Sequence, residues 1–239
     1  LALADDEQIL ALSPDARGPF SYFGARAAKF PRHREEADEI LLLHPDLAVA
    51  TGAGLGLASG ALQRLGLNVF STGLAPTLER AIADLVEVGE KLGHREKADA
   101  LANKARALKE KLLEENGVHV PGLYLSPGGI TTGAGTFLDE ILALGGIENV
   151  VAAQGVTGWS QFDLEAFVAE RPQVVVTSFF DSRVGHQESW RFAGHPAVRA
   201  VLAEADVIEV PSRLLSCPAW FAVEGAVFIR ERLKGKDAL

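Results

Sequence analysis

One local pattern occurs twice in this chain and limits the folds open to it. In residues 37–50, ADEILLLHPDLAVA, and again in residues 160–178, SQFDLEAFVAERPQVVVTS, an acidic amphipathic stretch is followed by a proline and a short apolar run. Proline ends a helix because it lacks a backbone N–H and its ring crowds the preceding turn. Short apolar runs of this kind are typical of buried strands in parallel sheets. The repeat therefore predicts two similar α/β lobes with a cleft between them.

A long helix is predicted between the two copies. Residues 95–115, REKADALANKARALKEKLLEE, are almost all strong helix formers, with a narrow Ala and Leu stripe among charged side chains. At 1.5 Å per residue such a helix spans about 30 Å. Strands and helices alternate again after it, so we expect an α/β protein of two Rossmann-like lobes joined by this helix. The expected boundaries are an N-terminal lobe in 1–93, an interlobe helix in 94–116 and a C-terminal lobe in 117–239. An ordinary surface helix of a single domain is the alternative.

Composition argues against several classes of protein. The 239 residues are 48% hydrophobic, too apolar for a disordered chain, and their apolar runs are far shorter than the roughly 20 residues of a membrane span. A formal net charge of −9 argues against nucleic-acid binding and against a polybasic membrane contact. Cys217 is the single cysteine, and its apolar neighbours predict a small buried side chain.

Small and polar residues follow the predicted strands. In an open α/β sheet, ligands bind beyond the carboxyl ends of the strands. The segments expected to line the cleft are therefore 51–54, 71–73, 126–129 and 178–181. The loop 51–60, TGAGLGLASG, lies where a dinucleotide fingerprint would be, but the third glycine position is Leu57 and no acidic residue ends the next strand. One function left open by this loop is that of a cytosolic α/β enzyme that binds a nucleotide there; it is the alternative to the function considered below.

Aromatic and basic side chains occur in the predicted loops of the second half. All three tryptophans are there: Trp159, Trp190 and Trp220. With nearby Phe and Tyr side chains they are expected to form the aromatic wall of a pocket for a large planar ligand. Three arginines on the same predicted rim would pair with an anionic ligand: Arg183, Arg191 and Arg213. The alternative for the aromatic residues is packing within the core. The alternative for the arginines is solvation at the surface.

No catalytic or metal-binding set is visible in the sequence. The six histidines are scattered, with none four residues from another, and no G-x-S-x-G motif occurs. We therefore expect no enzymatic activity, no metal held by the protein itself and no cofactor.

Four stretches resemble, in order along the chain, the class III periplasmic substrate-binding proteins of ATP-binding-cassette (ABC) importers for ferric siderophores, haem and vitamin B12. LLLHPDLAVA resembles that family's signature of a helix, a basic residue followed by Pro-Asp-Leu, and a strand. LGHREKADALANKARAL resembles the start of its interlobe helix, and TFLDEILALGGIENVVA resembles its G-G-x-x-N segment. WSQFDLEAFVAERPQVVVTS resembles its second-lobe helix and strand.

The resemblance implies a function in transport without chemistry. A protein of this family captures a metal chelate between its lobes, which close only modestly, and delivers it to an ABC permease and its ATPase subunit. It implies a periplasmic monomer, its signal peptide removed or trimmed, with no nucleic-acid partner. In the family an acidic residue on each lobe docks onto the permease. Glu224 is the second-lobe candidate here, and the helix after TGAGLG offers none in the first lobe.

The identity of the chelate is open among three classes. The arginines favour a ferric siderophore, which we place first, and the tryptophans favour cobalamin, a close second. Haem is third, with Tyr22, Tyr124 and His186 as candidate iron contacts. The residues predicted to bind the ligand are Tyr22, Thr51, Gly52, Ser126, Gly128, Gly129, Thr131, Trp159, Phe179, Arg183, Trp190, Arg213 and Trp220.

Overall fold

The fold alternates helices and strands through both halves of the chain. The computed structural model describes residues 1–51, 56–115, 119–178 and 192–235. Its helices are α1 Gly24–Ala27, α2 Ala37–Leu42, α3 Gly56–Arg64, α4 Leu78–Leu92, α5 Arg95–Glu114, α6 Phe137–Gly145, α7 Val150–Ala153, α8 Leu164–Glu170, α9 Pro196–Glu204, α10 Ser212–Leu215 and α11 Val223–Lys234. Its strands are β1 Ala48–Thr51, β2 Val69–Thr72, β3 Val120–Leu125, β4 Ile130–Thr132, β5 Ile147–Asn149, β6 Trp159–Gln161, β7 Val174–Thr177 and β8 Asp206–Glu209.

The described strands form separate sheets in the two halves. In the first half, β1 and β2 pair in parallel, with Ala50 opposite Ser71. In the second half, a parallel sheet has the order β5-β3-β7-β8, and β4 pairs with β6 in an antiparallel ribbon. Two α/β lobes, joined by the long helix α5, are therefore present as predicted. The exact lobe boundaries at 93 and 116 stay a prediction.

The helix ends follow the chemistry of the sequence. Thr77 accepts a hydrogen bond from the backbone N–H of Arg80 at the start of α4, and Thr136 accepts one from Asp139 at the start of α6. Both helices end at a glycine with a positive φ, Gly93 at 76° and Gly146 at 90°. This left-handed conformation is one that glycine adopts without the steric penalty of a side chain.

The core lies on both faces of the four-stranded sheet. One face packs against α4, α5, α6 and α11, with Val174 and Val176 of β7 buried there. The other face buries Val175 of β7 against Phe167 of α8 and Val198 of α9. Strand β7 is therefore enclosed on both sides, which is why its sequence is an unbroken apolar run. The narrow apolar stripe of α5 is buried through Ala98, Ala102, Ala105 and Leu112.

Three details differ from the sequence expectations. Strand β1 is not buried on both faces, because Val49 is 41% exposed while its neighbour Ala50 is 5% exposed. The sequence of residues 149–152, NVVA, predicts a short edge strand, but the edge strand β5 ends at Asn149 and the short helix α7 follows. Cys217 is exposed rather than buried, since it lies in the irregular segment between α10 and Trp220.

Candidate functional site

The carboxyl ends of the second-lobe strands meet at one edge of the sheet. Strands β3, β7 and β8 run parallel, with Leu125 opposite Thr177 and Thr177 opposite Glu209 at their last pairs. The turn at 126–129 follows β3, and α10 with Arg213 follows β8. In folds of this class ligands bind beyond such an edge. The structure thus brings Ser126, Gly128, Gly129 and Arg213 to the predicted edge.

A tight turn shapes the edge after β3. The backbone N–H of Gly129 donates to the carbonyl of Ser126 at 2.9 Å, and the N–H of Ile130 donates to the Ser126 hydroxyl at 3.0 Å. Gly129 has φ 79°, and a Cβ there would lie 2.6 Å from the ring of Phe192. Gln161 donates from Nε2 to the carbonyl of Gly128 at 2.8 Å. The turn is therefore fixed in shape and requires glycine at its fourth residue, Gly129.

The ribbon of β4 and β6 contains Trp159, which is the only exposed tryptophan among the residues that the structure describes. Trp159 lies opposite Thr132 and is 59% exposed. Its ring meets the buried ring of Tyr124 edge-on, with centroids 6.3 Å apart and an interplanar angle of 81°. Edge-to-face pairs of this kind hold an aromatic side chain in place. Trp159 therefore presents a supported flat surface beside the carboxyl edge.

Two hydroxyls near the edge are buried. Thr131 is 2% exposed and Ser178 is 0% exposed, and neither side-chain oxygen has a hydrogen-bond partner within the part of the chain that the structure describes. Thr131 lies opposite Ser160 in the ribbon. Its side chain therefore lies below the surface that a ligand would contact in this conformation.

Tyr22 and Trp220 belong to a packed aromatic cluster. Tyr22 stacks on Phe221 with centroids 4.1 Å apart, and Trp220 is only 8% exposed. The hydroxyl of Tyr22 donates to Oε2 of Glu224 at 2.9 Å. Burial, followed by this hydrogen bond, raises the pKa of Tyr22 to about 12, against a smaller opposing effect of the Arg213 charge. The cluster ties the N-terminal segment to the second lobe, and Trp220 is packed within it.

Glu224, the candidate docking residue, already has partners. Besides the Tyr22 hydroxyl, the ammonium of Lys104 lies 3.8 Å from Oε1, and the Glu224 side chain keeps 30% exposure. Its carboxylate is therefore partly neutralised within the protein.

The remaining predicted residues divide in two groups. Thr51 ends β1 opposite Thr72 and so lies at the carboxyl end of the first-lobe strand. The others lie outside the described residues: Gly52, Phe179, Arg183, Trp190 and the rim residue Arg191, together with the haem candidate His186 and the segments 52–54 and 179–181. As ligand contacts, all the predicted site residues stay predictions.

Sequence reasoning did not single out two exposed apolar side chains at these edges. Leu74, just after β2, is 70% exposed, and Ile130, at the start of β4, is 43% exposed. An apolar residue directly beside a predicted strand or turn was the signal that could have found both. In the described ranges no group of three or more His, Cys, Asp or Glu side chains could hold a metal ion. Among the described helices, none is both long and apolar enough to span a membrane.

The sequence of residues 30–212 matches the periplasmic binding protein family. The chain belongs to this family. An uncharacterized ABC transporter substrate-binding lipoprotein of Bacillus subtilis, YvrC, is 28% identical over 158 residues, which cover 59% of this chain and 48% of that protein. The chain spans about half the length of the curated relatives it matches.

Solved structures of other periplasmic binding proteins share the fold over nearly the whole chain. The heme-binding protein RhuT of Roseiflexus sp. RS-1, in apo form, superposes with a TM-score of 0.71 at 18% identity, covering 95% of this chain and 91% of RhuT. The vitamin B12-binding protein BtuF of Vibrio cholerae superposes with a TM-score of 0.67 at 22% identity, covering 94% of this chain and 95% of BtuF. The family membership and this fold agree with the two-lobed architecture expected from the sequence.

Proposed function

We propose that this chain is the solute-binding component of an ABC importer and holds a metal chelate with a large ring system between its lobes. It passes the chelate to a membrane permease coupled to an ATPase, acts as a monomer outside the cytoplasm, and carries out no chemistry on its ligand. The observation that carries this proposal is Trp159, a 59% exposed ring braced by Tyr124 at the carboxyl edge of the second-lobe sheet.

The exposed ring fits a flat ligand for a physical reason. A rigid aromatic side chain gives a large contact area while losing little conformational entropy on binding, because only two torsion angles are fixed. The exposed Ile130 lies on the paired strand of the same ribbon and would extend that apolar surface. A macrocycle offers the matching flat, largely apolar face.

Two kinds of chelate fit this surface best. The neighbours of known ligand named above bind heme and vitamin B12, which supports a ring-shaped chelate, and we place cobalamin first and haem second. The ferric siderophore stays a prediction, because two of the three arginines that favour it, Arg183 and Arg191, lie outside the described residues. The nucleotide-binding enzyme is not favoured, since the family shown by the comparison is one of binding proteins.

The proposal is tested by titrating the protein with cyanocobalamin, hemin and a ferric siderophore, and following heat release and the melting temperature. At least one ligand should bind at micromolar concentration or tighter, and it must raise the melting temperature because it binds the folded state. Trp159→Ala should weaken that binding by about tenfold, which corresponds to roughly 1.4 kcal/mol.

A matched control is Leu113→Ala, which removes an apolar side chain that is 60% exposed, close to the exposure of Trp159. Leu113 lies in the last turn of α5, which precedes the amino end of β3 and not its carboxyl end. The substitution should leave affinity unchanged. If none of the three ligands binds or shifts the melting temperature, the proposal fails.

A further inference from the structure

Asn149 is a buried polar residue whose side chain uses its whole hydrogen-bonding capacity. It ends β5 and is 8% exposed. Its Oδ1 accepts from the backbone N–H groups of Val151 at 3.2 Å and Ala152 at 3.5 Å. Its Nδ2 donates to the carbonyl of Thr132 at 3.0 Å and to Oδ1 of Asp139 at 2.7 Å. A carboxamide has one acceptor oxygen and two N–H donors, so none is left over.

These bonds connect three separate parts of the second lobe. The accepting oxygen caps α7, one donor reaches α6 through Asp139, and the other reaches the end of β4 through Thr132. Asp139 is itself fixed at the start of α6, where its N–H donates to Thr136. The bond to Thr132 is therefore anchored to two helices and a strand of the main sheet.

Thr132 is the direct partner of Trp159. The two residues are opposite each other in the ribbon of β4 and β6, which has three residues in each strand. A ribbon this short is marginally stable by itself and needs outside support. Just beyond it, the N–H of Gly133 donates to the carbonyl of Gly158 at 2.8 Å, and a Cβ on Gly133 would overlap the carbonyl of Val156. The backbone around Trp159 thus follows the position of residues 132–133.

We propose that Asn149 is a positioning residue for ligand binding: by holding the carbonyl of Thr132 it fixes the ribbon and thereby the exposed ring of Trp159. The part that concerns ligand affinity rests on the function proposed above, whereas the placement of the ring does not. The ligand class is a chelate with a flat macrocycle face, for which a displaced ring loses contact area.

Asn149→Asp combined with Asp139→Asn separates this role from a general structural one. In the double variant the new carboxylate at position 149 still caps α7 and now accepts from the new amide at position 139, so the link to α6 is kept with its direction reversed. The carbonyl of Thr132 alone loses its donor, because a carboxylate has no N–H to give, and it then faces a carboxylate oxygen that repels it. Asn149→Ser is the second variant, since serine also caps a helix but is too short to reach Thr132.

The placement of the ring is measured without ligand. The protein is labelled with 5-fluorotryptophan, and the Trp159 resonance in the fluorine NMR spectrum is assigned from its loss in Trp159→Phe. In the double variant and in Asn149→Ser we expect the Trp159 resonance to shift or broaden while the resonance of the packed Trp220 stays in place. The melting temperature of the double variant should fall by about 2–12 °C, as expected when one buried carbonyl loses its donor in a chain of this length, and the protein should still unfold in a single cooperative transition.

Affinity is then measured with cyanocobalamin and hemin, and we expect binding at least about fivefold weaker in both variants. An unmoved Trp159 resonance in both variants overturns the inference, as does unchanged affinity for a probe that the parent protein binds. A shifted resonance in a protein whose parent binds neither probe supports the placement role and contradicts the ring-shaped chelate of the proposed function instead.

Discussion

Replacing Arg230 with methionine should lower the free energy of unfolding by about 3 kcal/mol. Arg230 lies on α11 and is 6% exposed. Its Nη1 donates to the carbonyl of Leu112 at 2.6 Å and its Nη2 to the carbonyl of Leu144 at 2.7 Å. These carbonyls belong to the last turns of α5 and α6, where no partner exists within the helix. A buried cation therefore joins the negative ends of two helices to a third.

The magnitude follows from what methionine removes. Each hydrogen bond from a charged donor contributes about 1.5–3 kcal/mol, so the two together contribute about 3–6 kcal/mol. Removing the cation also removes the cost of burying it, and its Nε has no hydrogen-bond partner within the described residues, which brings the net loss to about 3 kcal/mol. For a chain of this length the melting temperature should fall by about 6–12 °C.

The assay is chemical unfolding followed by circular dichroism at 222 nm. Arg232→Met is the matched control on the same helix, because Arg232 is exposed and only lies over the ring of Phe228 at 5.0 Å. It should cost less than about 1 kcal/mol. Arg230→Lys should fall between the two, since an ammonium lacks the planar fork that reaches both carbonyls. Equal midpoints for Arg230→Met and Arg232→Met would show that the two buried hydrogen bonds of Arg230 do not stabilise the fold.

Three further predictions concern the turn at 126–129 after β3, the two tyrosines, and the hydrogen bond that Glu140 accepts at the start of α4. Gly129→Ala should lower the free energy of unfolding by about 1–3 kcal/mol and weaken ligand binding, because the added Cβ meets the ring of Phe192. Gly135→Ala should cost only about 1 kcal/mol of backbone strain, because Gly135 has φ 78° but no atom near the position of an added Cβ. Burial raises the pKa of both tyrosines, that of Tyr22 to about 12, so absorbance at 295 nm should show no tyrosinate at pH 10.5. The folded state holds these protons more tightly, so stability should fall as the pH rises from about 10 to about 12, less steeply in Tyr22→Phe. Glu140 accepts from the N–H of Leu78 at 2.7 Å and pairs with Lys109 at 2.7 Å. Glu140→Gln keeps an acceptor for that N–H, so it should lower the melting temperature less than Glu140→Ala does. Equal losses in the two variants would contradict this.

Local periodicity predicted most of the helices and the central strand. The unbroken apolar run of β7 is buried as expected, and the narrow apolar stripe of α5 is the face of that helix that is buried. The run that forms β1 is just as apolar, yet Val49 is 41% exposed. Burial of a strand depends on the strands and helices that pack around it, and the sequence of the four residues of β1 does not determine those neighbours.

The site was predictable only where its environment is local. Trp159 and Trp220 both lie in loop-like sequence, and both were expected at the pocket. Trp159 is exposed because its own ribbon places it at the edge, but Trp220 is covered by Tyr22, which is about 200 residues away in the chain. The partners of Asn149 are likewise supplied by two other elements, so its sequence position alone gave no role.

Hydroxyl-radical footprinting, with and without the bound chelate, tests most directly whether the ligand lies between the lobes. Leu74, just after the first-lobe strand β2, and Trp159, in the second lobe, are both exposed enough to be oxidised, as is Leu113 on α5. We expect the ligand to lower the oxidation rates of Leu74 and Trp159 together and to leave that of Leu113 unchanged. Protection of one lobe alone, or of neither residue, would contradict it.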